Sequence, residues 1–133
     1  MKDKNSKNLF AAAVAEGLQR ANELELKIER ILKIIEEASD AVNSVYDDVK
    51  ISASTIGDSH YLKISANLDY KDNFETRRVM DIEIIKENGS QIAVTTRKGK
   101  TAVDSEEELV NIFLEILSSP TFWSGISDIR NRV

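Results

Sequence analysis

The sequence predicts an α+β fold in which a long N-terminal amphipathic helix leads into a four- or five-stranded antiparallel β-meander, and two short C-terminal helices close the chain. Three observations carry this. Over residues 10–49 the apolar positions recur at spacings that alternate between four and three. Over 49–104 the period drops to two and is punctuated by glycine turns. From Ser105 onward the helical period returns, with a capping signature and a proline marking two helix starts.

The stripe consists of Phe10, Val14, Gly17, Ala21, Leu24, Ile28, Ile31, Ile35, Ala38, Val42, Val45 and Val49, a heptad seam with Val14 at position a and Phe10 at position d. Glu16 precedes Arg20, Glu23 precedes Lys27 and Glu29 precedes Lys33, each pair four residues apart in the favourable orientation. Proline is absent from 1–48, so one helix of about 40 residues and about 60 Å is expected there. The alternative is a break at Ser39-Asp40, where Ser39 would begin a second helix. Lys2 and Lys4 before the apolar run 9–15 imitate an export signal, but the same residues continue the helical stripe, and the helical reading is preferred.

In the middle segment Val49, Ile51 and Ala53 form a first strand that ends at Gly57-Asp58-Ser59. Leu62, Ile64, Ala66, Leu68 and Tyr70 alternate with polar residues in the second, which predicts one buried and one wetted face. A polar connection, Lys71-Asp72-Asn73, follows it. The third strand covers 79–86 with Met80, Ile82 and Ile84 inward, and Asn88-Gly89 has the composition of a tight hairpin turn. Ile92, Val94 and Thr96 face inward on the fourth, and the turn Lys98-Gly99-Lys100 leads into a short fifth strand over 101–103. Ser105 and Glu108 then make a capping box. Pro120 suits the first position of a last helix with Phe122, Ile126, Ile129 and Val133 on one face. The expected organisation is a single α+β domain over 1–133: helix over 1–48, sheet over 49–104, closing helices over 105–133.

The 23 acidic and 18 basic residues give a net charge of −5, a field that weakly repels nucleic acid and anionic membrane. No stretch approaches the roughly 20 apolar residues of a membrane span, so no membrane partner is expected. Without cysteine there is no thiolate chemistry and no disulfide framework, in keeping with a cytoplasmic location. The single histidine, His60, lies beside a turn and excludes a histidine-pair metal site. Asp69, Asp81 and Glu83 collect on the polar sheet face, where two carboxylates on neighbouring strands could in principle act as acid and base or hold a divalent cation. Asp81 and Glu83 alternate on a solvated strand, however, where Lys63 and Arg97 can neutralise them from adjacent strands, so neither catalytic residues, metal nor cofactor is expected.

The helix carries the functional expectation, because its seam is about twice as long as the rest of the chain is wide. Phe10, Val14, Ala21, Leu24, Ile28, Ile31, Ile35 and Val42 are the candidate interface, and a non-enzymatic protein–protein interaction module of the adaptor, chaperone or inhibitor kind, most simply a homo-oligomer, is the reading. The competing structural reading folds the helix back onto its own sheet. Leu18, Leu32 and Tyr46 at positions e, with Ile34 and Ala41 at positions g, make the apolar face wider than a two-stranded coil needs. The alternative function is nucleic-acid binding through Arg97, Lys98 and Lys100, joined by Arg77 and Arg78 or by Arg130 and Arg132. Trp123 beside Phe122 is read as closing the core rather than as an interface anchor.

Overall fold

The computed structural model describes residues 2–58, 60–71, 76–86 and 91–130, with side chains described from 6 to 125 within those segments. The element order is α1 (Lys2–Val45), β1 (Val49–Gly57), β2 (Tyr61–Tyr70), β3 (Thr76–Ile85), β4 (Gln91–Thr96), β5 (Gly99–Val103), α2 (Glu106–Leu117) and α3 (Pro120–Arg130). The five strands form one open antiparallel sheet in the order β1-β2-β3-β4-β5, the meander that period-two alternation predicts. The expected turn at Asn88-Gly89 and the connection at Asp72-Asn73 lie outside the described residues.

Helix α1 runs unbroken for 44 residues, about 66 Å at 1.5 Å per residue. It does not break at Ser39-Asp40. The Ser39 hydroxyl accepts the Ile51 N–H at 2.9 Å, and Asn43 Nδ2 donates to the Val49 carbonyl at 2.9 Å. These are outward-facing groups of β1, the edge strand, so the last turns of α1 occupy hydrogen-bonding positions that would otherwise lie bare.

One face of the sheet is apolar, and its residues stand opposite one another in the register: Ile51 pairs with Leu68, Ile64 with Ile82, and Ile82 with Val94. The core forms between this face and the three helices, with Ile31, Ile35 and Val42 entering from α1, Leu109 and Phe113 from α2, and Phe122 from α3. Burying each such side chain stabilises by roughly 1.5–3 kcal/mol. Ala53 lies on the apolar side as expected but is exposed, as is the rest of β1 to Gly57. Burial along that strand ends after Ser52, so alternation places Ala53 on the correct side without supplying it a cover.

Ala66 pairs with Met80 while Asn67 pairs with Arg78, leaving Val79 as an extra residue on β3. This bulge lets Val79 and Met80 both be buried, and it puts Arg77 opposite Leu68, on the helix side of the sheet. At the other hairpin Gly99 has φ of 118°, a conformation that L side chains rarely adopt, which is why glycine follows the Arg97-Lys98 tip.

The capping box forms at α2, where the Glu108 N–H donates to the Ser105 hydroxyl at 3.2 Å. The Glu108 carboxylate reaches one residue further back than the motif predicts, accepting the Asp104 N–H at 3.0 Å. At the β1–β2 turn the Asp58 carboxylate accepts the N–H groups of His60 at 2.8 Å and Tyr61 at 3.0 Å. The His60 bond, followed by the Tyr61 bond and the nearby His60 and Lys86 charges, holds this carboxyl below its ordinary value of 3.8.

Two measurements check this account. Leu68→Ala, at a site with no solvent exposure, is expected to lose about 2–5 kcal/mol in denaturant unfolding, whereas Ile56→Ala, at 73% exposure, stays within about 0.5 kcal/mol. Because the Asp58 carboxyl is depressed on folding, the stability it adds is present above its unfolded value and is lost as pH falls through the folded one. The gap in denaturation midpoint between the native chain and Asp58→Ala should therefore narrow as pH falls from about 5 through the folded value, which lies below 3.8.

Candidate interaction surface

The apolar stripe of α1 divides in two. Ile31, Ile35 and Val42 are 1%, 2% and 3% exposed, and Leu24 and Ile28 are partly buried against the same core. Of the expected interface residues, Ile31, Ile35 and Val42 are thus covered by the chain's own sheet and helices. Leu32, Ile34 and Tyr46, which widen the stripe, also pack against the core, so in this half the width serves internal packing.

Phe10, Val14 and Ala21 lie in the other half, where every described side chain over 6–23 is exposed. Leu9 is 70% exposed, Phe10 71%, Val14 61% and Leu18 62%. At 100° per residue, Phe10, Val14, Gly17 and Ala21 continue the line of Ile28 and Ile35, so one helical face passes from core to solvent. Arg20 bonds Glu16 at 2.6 Å on this half, and both side chains are well exposed, so the pair adds only tenths of a kcal/mol.

The polar sheet face neutralises its own carboxylates. Asp81 accepts from the Ser65 hydroxyl at 2.7 Å and from Arg78 at 3.0 Å, with Lys63 at 3.8 Å. Lys100 bonds Glu83 at 3.1 Å, and the Ser52 hydroxyl donates to Asp69 at 2.5 Å. Among the described residues no three histidine, cysteine, aspartate or glutamate side chains gather as a metal site would require. His60 is exposed at the turn.

The basic hairpin is split by the sheet. Lys100 points to the polar face and its Glu83 partner, while Arg97 and Lys98 line a cleft of about 290 Å³ at the end of the sheet, with Arg77 and Arg78. Lys98 also bonds Glu115 of α2. Arg130 and Arg132 fall outside the described side chains. The sequence names these cations, but their convergence depends on the Val79 bulge, which no pattern in the sequence announces.

Trp123 closes the helix layer. Its indole N–H donates to the Leu117 carbonyl at 2.6 Å, an acceptor left over at the end of α2. Its ring stacks on Tyr46 at 5.6 Å and meets Phe122 edge-on at 5.3 Å, which ties the ends of α1, α2 and α3 together.

Comparison with protein-family models, with curated proteins and with solved structures returned no match for this chain. Among the described residues, no helix is long and apolar enough to cross a membrane.

The indole bond gives a direct check. Trp123→Phe keeps an aromatic ring against Tyr46 but strands the Leu117 carbonyl, and thermal unfolding should register a loss of about 1 kcal/mol.

Proposed function

We propose that this chain is a non-enzymatic protein–protein interaction module that self-associates through the projecting half of α1, acting as an adaptor, chaperone or inhibitor. The observation that carries the reading is the solvent exposure of Leu9, Phe10, Val14 and Leu18 on a helix whose seam is buried at Ile31, Ile35 and Val42. An apolar ridge of this kind marks an association surface. Removing each of these large side chains from water adds roughly 1.5–3 kcal/mol.

A second copy is the simplest cover, because a two-fold contact sets the same ridge against itself and buries twice as many large residues as one chain presents. Small residues favour close approach of two helices here: Ala11, Ala12, Ala13, Ala15, Gly17 and Ala21 surround the large ones. About 22 residues of helix held only by their own hydrogen bonds are marginal in water, so association also supports the helix itself. The position of Leu18 beside the seam favours a contact broader than a two-stranded coil, such as a helix bundle. A cytoplasmic setting accords with the absence of cysteine.

Sedimentation equilibrium of the full chain tests the proposal. The native protein is expected at a multiple of the chain mass, and Phe10→Asp combined with Val14→Asp should bring it to the single-chain mass. Both residues are exposed, so circular dichroism of the sheet should be unchanged in that variant. A native protein at single-chain mass up to about 100 μM would sink the reading, because an interface of this class holds at micromolar concentration or below.

A further inference from the structure

We infer that the cleft between the sheet end, α2 and α3 is a binding site for a small amphiphilic acid, with an apolar body on its floor and a carboxylate at its rim. Val79, Ile112, Ile116 and Phe122 supply the apolar lining. Arg77, Arg78, Arg97 and Lys98 stand around it, and Glu115 is the one carboxylate among the lining residues. The whole chain carries a net charge of −5, so this concavity is opposite in sign to the chain as a whole. An apolar hollow with a few convergent charged groups is how small-ligand sites are built, and its volume of about 290 Å³ sits at the lower end of their range.

The four cations are not equivalent. Arg78 is engaged with Asp81 and Lys98 with Glu115. Arg77 and Arg97 have no carboxylate partner among the described residues, and a guanidinium grips a carboxylate through two parallel hydrogen bonds. Arg77 is set in place by the fold: its guanidinium lies over Gly125 of α3, where a Cβ would come within 1.9 Å of Nη1. Glycine at that position lets the arginine cross the helix surface to the cleft. Arg97 comes from the tip of the β4–β5 hairpin, so the two guanidinium groups border the cleft from two elements.

The chain has one tryptophan, and Trp123 touches the floor residue Phe122, which makes its fluorescence a reporter of occupancy. Titration of the full chain with octanoate should give a saturable change with one site per chain and a Kd below about 1 mM. Octanol and octylamine, with the same apolar body and no anion, should bind at least about tenfold more weakly. Arg97→Gln should weaken octanoate about tenfold, and Arg77→Gln likewise. Arg97 is exposed at a hairpin tip, so its variant keeps the fold and decides the matter even if the Arg77 variant disturbs α3. Three results would overturn the inference: no saturable response, octanol binding as tightly as octanoate, or unchanged affinity in a folded Arg97→Gln chain. Displacement of octanoate by a short single-stranded oligonucleotide at far lower concentration would also overturn it, since the cations would then belong to a nucleic-acid surface.

Discussion

A helix of 44 residues cannot be covered by a sheet of five short strands, and the rest of the architecture answers to that mismatch. Strands about 4.8 Å apart make a sheet about 24 Å wide, and ten residues of β2 span about 33 Å. Laid diagonally, such a surface shields about 40 Å of a helix some 66 Å long. The division falls where this arithmetic puts it: Ile31, Ile35 and Val42 are buried, Leu24 and Ile28 are intermediate, and every described side chain over 6–23 is exposed. Folding back would require a turn inside α1, which runs unbroken through Ser39-Asp40 and holds no proline and one glycine before residue 46.

The covered half is fixed by both polar and apolar contacts. Ser39 and Asn43 bond the outer edge of β1, while Ile31 and Ile35 fill the core, so the helix is held in direction as well as in position. Arg30 reaches Glu106 at 3.3 Å, but both side chains are about half exposed or more, and such a bridge contributes little. Since α1 crosses the apolar face obliquely, α2 and α3 must fill the remainder, and three helices joined by Trp123 do not tile it completely. The cleft lined by Ile112, Ile116 and Phe122 is the space left over, and the Val79 bulge turns Arg77 toward it.

Much of this was legible in the sequence for an identifiable reason. Strict alternation in Leu62, Ile64, Ala66 and Leu68 has one physical outcome, a strand with one buried face, and the Ser105–Glu108 capping box has one as well. The heptad seam is different, because it reports only that a helical face avoids water. Ile31 and Phe10 lie on the same seam, yet one is 1% and the other 71% exposed. What separates them is composition: the covered stretch is rich in Ile and Leu, whereas the projecting one is dominated by Ala and Gly around a few large residues. The cleft was not legible, since a one-residue bulge between Ala66 and Asn67 decides which arginine faces the helices. Likewise Ala53 was placed on its face correctly but not given its exposure, because burial at an edge strand depends on where α1 leaves the sheet.

The two surfaces left open by this packing lie at opposite ends of the strands. Lys27 and Ile31, the last covered part of α1 before it projects, share a hollow with Ile92, Val103 and Asp104, where β4 begins and β5 ends. The cleft is bounded by Arg77, Thr96 and Arg97, where β3 begins and β4 ends. Contact between projecting helices therefore leaves the cationic cleft open, and occupancy of the cleft leaves the helical ridge free. The two surfaces are joined through the core itself: Phe122 lines the cleft, Trp123 lies against it, and Tyr46 stacks on Trp123 directly after α1. A displacement of Phe122 would press on that aromatic chain, whereas the rigid body of α1 beyond Ile31 is anchored by separate contacts to the sheet. The fold thus separates the exposed helical ridge from the cationic cleft in space, with the Phe122–Trp123–Tyr46 packing running from the cleft to the end of α1.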